Sequence, residues 1–212
     1  IGQRTVPVRV RVGLAALIVV AAQASLPEMP TVALDSPLAI SLIAQNLLIG
    51  LTLGFAVRIV FAAVEFAGEL IGLQMGLNYA GFFDPASGSQ GTASARFLGA
   101  MTSLVFIVIN GHLFIVGALV QSFHAVPVGP DVLGFIRALE PQTWAAELFR
   151  LGLTIALPVV GLLLFVNLIL GVVSRVAPQI NVFAVGFPIT LSVGLVGLMF
   201  TLPMMQTPVQ AA

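Results

Sequence analysis

From Pro37 to Gly76 the chain runs as one apolar pattern about 40 residues long, carrying only the charges of Arg58, Glu65 and Glu69. As a helix rising about 1.5 Å per residue it would be roughly 60 Å long. The hydrocarbon core of a bilayer is only about 30 Å thick. Such a helix has to kink, split or project out of the membrane. It then breaks at Asn78 to Thr92, where Asp84-Pro85 starts a turn. Tyr79, Phe82 and Phe83 give that break an apolar head, and Ser87-Gly88-Ser89-Gln90-Gly91 gives it a small, polar, flexible tail. The helix reads as scaffold. The break reads either as a plain interhelical connection or as a plug over a pore.

The rest of the composition decides the solvent of that helix. Of 212 residues, 59% are hydrophobic and 8% charged, against about 25% charged in a soluble domain. This much apolar surface belongs in a membrane. Net charge is zero and no basic run exists, which excludes a nucleic-acid partner. The chain has no Cys, so disulfides and thiolate chemistry are excluded. Further apolar stretches are Val12 to Ala24, Phe97 to Val120, Gln142 to Val176 and Ala184 to Met205. The expected fold is therefore all-α: an integral membrane protein of four to five hydrophobic, kinked or broken helical segments packed as hairpins, one membrane-embedded domain over 1–212. Arg4, Arg9 and Arg11 place the N-terminal region on the cytoplasmic side and the acidic loop before Leu38 on the other. Both ends look cut, so a first helix and a C-terminal tail are expected beyond them.

Two patterns mark the long segment. Arg58, Glu65 and Glu69 step by seven and four and share one helical face. A charge costs about 3 kcal/mol at mid-membrane. The stripe therefore meets a partner helix or an aqueous path, or else this half of the helix stands in water or headgroups. Gly50 and Gly54 form one GxxxG, and Gly68, Gly72 and Gly76 a double one. Small residues four apart admit another helix backbone, from this chain or another subunit. They form a candidate packing and assembly face.

Elsewhere the chain is punctuated. Asn110-Gly111-His112 interrupts an apolar stretch and predicts a bend. His112 reads as a cap for the backbone groups the bend frees. Pro178, Gln179 and Asn181 mark a turn, and Pro188 and Pro203 predict kinks or a broken start in the last segment. No phosphate loop, nucleophile elbow, zinc motif or metal-ligand spacing is present. Glu65 and Glu69 have no evident acid–base task. The expectation is a protein that is not an enzyme and takes no cofactor, with transport or structural assembly remaining.

The ordered motifs then carry a resemblance. Leu70-Ile71-Gly72-Leu73-Gln74-Met75-Gly76-Leu77-Asn78-Tyr79-Ala80 leads into Phe83-Asp84-Pro85 and Ser87-Gly88-Ser89. Asn110-Gly111-His112-Leu113 follows, then Ser122-Phe123-His124 with Pro127-Val128-Gly129. Last comes Arg175-Val176-Ala177-Pro178-Gln179-Ile180-Asn181-Val182-Phe183-Ala184-Val185-Gly186-Phe187-Pro188. In this order and spacing, with Pro7-Val8-Arg9-Val10-Arg11 ahead of them, they closely resemble the FliR family of flagellar biosynthetic proteins.

The resemblance implies a subunit of the flagellar type III export gate in the bacterial inner membrane, at the flagellar basal body. It implies FliP-type and FliQ-type membrane proteins as partners in a hetero-oligomeric helical assembly. Other export components, membrane lipid and unfolded flagellar proteins in transit would also contact it. It further implies that the break after the double GxxxG plugs the closed channel, through Tyr79, Gly81, Phe82, Phe83, Asp84, Pro85, Ser87, Gly88 and Ser89. The alternatives are a homologous injectisome subunit, or an independent channel or transporter with Asn110-Gly111-His112 near its midplane.

Overall fold

The computed structural model of the protein describes residues 7–25, 32–33, 36–77, 91–125, 141–179 and 181–204. The plug residues Tyr79, Gly81, Phe82, Phe83, Asp84, Pro85, Ser87, Gly88 and Ser89 lie outside the described residues, as do Arg4 and the acidic residues Glu28 and Asp35. Among the described residues all regular structure is helical. The elements are α1 (Val8–Ala22, continued by a 3-10 turn at Gln23–Ser25), α2 (Pro37–Gln74), α3 (Ala93–Val108), α4 (Gly111–Ala125), α5 (Pro141–Val176) and α6 (Val182–Met204). Three helices are long and apolar enough to cross a membrane, or four if α3 and α4 count as one broken span. The all-helical, membrane-spanning expectation is met.

Local chemistry sets the helix ends. α1 starts at Val8, earlier than the expected Val12, because Pro7 stands at its N-cap and its carbonyl accepts from Val10 N and Arg11 N at 3.0 and 3.3 Å. Arg9 and Arg11 are thus helical. Ser36 caps α2, its hydroxyl accepting from Ala39 N at 3.3 Å, and Pro37 takes the first helical position, where a missing N–H costs nothing. α2 then runs 38 residues, about 57 Å at ~1.5 Å per residue, without a break. It stops in a Schellman motif. Gly76 has φ 79°, Leu77 N donates to Gly72 O at 3.0 Å, and Gly76 N to Leu73 O at 3.1 Å. α5 runs unbroken through Pro158, although that residue cannot donate to the carbonyl one turn back. α6 likewise continues through Pro188 as one helix.

The chain packs as two compact units that share helices. One comprises Ile1–Phe55 and Ile109–Leu139, the other Ala56–Val108 and Glu140–Ala212. In the first, Ala39, Gln45 and Ile49 are buried in the leading half of α2. Among the described residues, Gly50 and Gly54 have no non-local atom within 4 Å of a Cβ built on them. Ile43, Leu47 and Leu51 beside them are exposed.

In the second unit the trailing half of α2 is the centre. Val64, Ala67, Ile71 and Met75 repeat every three or four residues, and pack with Leu98 of α3, Ile155, Ala156, Val159 and Leu163 of α5, and Leu198 of α6. Most other large apolar side chains point outward, including Phe165 and Phe200 at 61% and 74% exposure. Such a surface suits lipid or neighbouring subunits. In lipid the hydrophobic effect contributes little between helices, so close packing and hydrogen bonds hold this unit together.

Candidate functional site

The best-defined polar arrangement is the seam between α2 and α3, which run antiparallel. Reading along it, Phe61 meets Phe106 edge-on with centroids 5.6 Å apart. Glu65 lies beside Gly99, its Cγ 3.6 Å from where a Cβ would stand. Gly68 meets Ala95, and Glu69 meets Thr92. The face carrying Arg58, Glu65 and Glu69 is therefore turned, over Glu65 and Glu69, to a helix of the same chain. Arg58 pairs with Glu65 at 3.5 Å, both side chains being substantially exposed. An exposed pair of this kind stabilises by about 1 kcal/mol at most.

At the end of the seam the glycines have a purpose. A Cβ on Gly68 would stand 2.8 Å from Ala95 N and still closer to its Cα. A Cβ on Gly72 would stand 2.7 Å from Thr92 Oγ1 and collide with Ser94 Oγ. With glycine in both places the start of α3 lies directly on the α2 backbone. Ser94 Oγ donates to Gly68 O at 2.7 Å, and Thr92 Oγ1 to the same carbonyl at 3.3 Å. The two hydroxyls are 3.0 Å apart. Thr92 also caps α3, its Oγ1 accepting from Ala95 N at 3.2 Å. Its own N–H donates to Glu69 Oε1 at 2.9 Å. Thr92 and Ser94 are 8% and 3% exposed, so each unmade bond here would cost about 1–3 kcal/mol. The Glu69 carboxylate also lies at the positive end of the α3 dipole, a favourable placement. Gly91 has φ +95° and lies against the same carboxylate, Glu69 Oε1 being 2.8 Å from its hypothetical Cβ. That corrects the reading of Gly91 as part of a flexible tail: its positive φ favours glycine.

Two more helices close on α2 by the same device. Gly152 of α5 receives Phe66, whose Cδ1 lies 2.6 Å from the hypothetical Cβ, with Ala63 O at 2.9 Å. Phe66 in turn meets Phe149 edge-on at 5.4 Å. Gly194 of α6 receives the Met75 side chain, and Thr190 Oγ1 lies 3.4 Å from Met75 O while the Gly186 and Phe187 carbonyls of its own helix stand closer at 3.1 Å.

The helix-break residues fall into distinct roles. Asn110 has φ 56°, in the left-handed region, and its carbonyl accepts from Leu113 N at 2.8 Å, opening α4 at Gly111. The His112 side chain is exposed and makes no hydrogen bond among the described residues, so the turn is closed by Asn110 rather than by a histidine cap. Asn181 caps α6, its Oδ1 accepting from Ala184 N at 3.3 Å. Pro178 and Gln179 form the turn before it. The residues absent from the sequence reading are Thr92, Ser94, Gly152 and Gly194. Threonine immediately before an apolar helix was the available signal for the first. The others become visible only once their helices are in contact.

Span-length apolar helices, locked together through glycine faces and internally bonded hydroxyls, define an integral membrane protein built from helix hairpins. The whole chain, residues 1–212, matches the family described as Bacterial export proteins, family 1. It is 44% identical to the flagellar biosynthetic protein FliR of Escherichia coli strain K12 over 92% of this chain and 74% of that one. It is 42% identical to FliR of Pectobacterium carotovorum over 95% and 77%, and 30% identical to FliR of Bacillus subtilis strain 168 over 92% and 76%. The chain belongs to the FliR family of bacterial export proteins.

Proposed function

We propose that this protein is a subunit of the flagellar protein-export gate, sited in the inner membrane at the basal body. FliP-type and FliQ-type proteins are its immediate partners in this reading, and unfolded flagellar subunits are the cargo. Tyr79, Gly81, Phe82, Phe83, Asp84, Pro85, Ser87, Gly88 and Ser89 plug the closed channel. The role is structural and conductive rather than catalytic. One observation carries it: likeness to curated flagellar FliR proteins over nine-tenths of this chain. Helices of span length and an outward apolar surface support the membrane setting. The flagellar names of these relatives favour this reading over an injectisome subunit or an independent transporter.

The test is deletion and rescue in the source organism, scored by swimming and by hook or filament protein in the medium. Loss of both, restored by the gene, is the expected result. Normal swimming and secretion would remove the flagellar role.

A further inference from the structure

Three side-chain carboxylates fall among the described residues, Glu65, Glu69 and Glu147. Each has a partner: Arg58 for Glu65, the Thr92 N–H for Glu69 and Arg150 for Glu147. Two guanidinium groups of the unit Ala56–Val108 and Glu140–Ala212 are left over, those of Arg96 and Arg175. Neither makes an ion pair or a side-chain hydrogen bond among the described residues. Arg175 stands in the last turn of α5, where the helix dipole favours a cation. Arg96 has the reverse placement. It lies in the first turn of α3, its backbone N–H donating to Thr92 O at 3.1 Å, at the end of the helix where the dipole disfavours positive charge. It is exposed, and it shares the outward side of α3 with exposed Ala93, Phe97, Ala100 and Leu104, which recur at helical spacing. An uncompensated cation thus sits in an apolar face, between two alanines that leave room beside it.

We infer that this face of α3 is an interaction surface for an apolar helix of a partner subunit that carries one carboxylate opposite Arg96. The inference rests on the reading of the protein as a subunit of a membrane-embedded export gate. Hydrocarbon disfavours a bare guanidinium, and here the α3 dipole adds to the penalty. A carboxylate brought from outside relieves both, because the planar guanidinium fork can take it through two parallel bonds. Ala93 and Ala100 let a second backbone come close on either side of that pair, and Phe97 and Leu104 supply apolar contact. A second copy of this face is the wrong occupant. It would set Arg96 against Arg96, and every carboxylate among the described residues already has a partner. A lipid phosphate matches the charge alone, whereas the flanking alanines match a helix backbone.

The test uses the tagged full chain expressed in its own cell membrane with the other export-gate proteins. Copurification from detergent reports assembly, and the unfolding midpoint of the chain purified alone reports its fold. Arg96→Gln is expected to lower the yield of copurified partner subunits roughly tenfold, with Arg96→Glu lower still and Arg96→Lys between, since lysine keeps the charge but not the fork. The chain purified alone should melt at or slightly above wild type in Arg96→Gln, because a cation has left the positive end of a helix. A photocrosslinking residue at position 100 should join to a partner subunit, on an apolar helix holding an Asp or Glu. Exchanging that acid for arginine should restore the yield of Arg96→Glu. Wild-type yield in both Arg96→Gln and Arg96→Glu overturns the inference and leaves the gate reading standing, since partners still copurify. A midpoint that falls in step with the yield also overturns it, by making Arg96 part of the fold. Crosslinks to lipid alone, with bound anionic phospholipid lost in Arg96→Gln, overturn it in favour of a headgroup site. If the wild-type chain brings down no export-gate subunit, the gate reading falls and takes the inference with it.

Discussion

Gly50-Gly54 and Gly68-Gly72 are the same four-residue spacing on the same helix, and the structure uses them in opposite ways. The second pair is filled: Thr92, Ser94 and Ala95 lie where its side chains would be. The first pair is open among the described residues, with nothing non-local from them within 4 Å and exposed Ile43, Leu47 and Leu51 alongside. A GxxxG pattern therefore states that a backbone can approach, but not whose. What distinguishes the filled pair is its partner. A short run of hydroxyl residues at a helix start can bond the carbonyls that glycine leaves uncovered. Open glycines in an apolar face offer only shape.

That contrast can be broken by substitution. Gly68→Leu should have the largest effect, because the clash is with the Ala95 backbone, which cannot step aside. A loss of about 3 kcal/mol or more is expected, seen as collapse of protein yield or of the unfolding midpoint in detergent. A wild-type midpoint would mean that α3 does not lie on this face. Ser94→Ala should cost about 1–2 kcal/mol, since the bond to Gly68 O is lost while the helical acceptor keeps its own partner. Gly54→Ala should go the other way, raising the stability of the isolated chain by about 0.5–1 kcal/mol through helix propensity alone. If the open pair receives a neighbouring subunit, the same change should lower the yield of copurified partners while the chain itself melts higher. Equal behaviour of Gly54 and Gly68 variants would erase the distinction between the two pairs.

The sequence made the scaffold legible where the signal is local. The length of α2, its stop at Gly76, the break at Asn110-Gly111 and the turn ahead of α6 all follow from periodicity, proline, glycine and caps within a few residues. The stripe Arg58, Glu65 and Glu69 was legible as a face, because helical spacing fixes it. Its counterpart was not, since Thr92 stands 23 residues from Glu69 in the chain and no periodicity links them. The same limit hid Gly152 and Gly194, whose meaning depends on Phe66 and Met75 of another helix. Gly91 was misread for a related reason. Beside serines and glycines it looks like slack, whereas it takes a positive φ next to a carboxylate of α2.

The hydrogen bonds of the α2–α3 seam have one more consequence. The Thr92 amide and the Thr92 and Ser94 hydroxyls all find partners within the hairpin. None of them needs water, and none is left bare in hydrocarbon. Those three groups are paired without help from the medium, although the Glu69 carboxylate keeps a charge that hydrocarbon disfavours. A helix about 57 Å long cannot lie wholly within a bilayer ~30 Å thick, so one surface of this protein has to meet more than one environment. Because this joint carries its own bonding, the Thr92 amide and both hydroxyls keep the same partners in lipid, among headgroups or in water. The hairpin is portable across the boundary that its longest helix outruns.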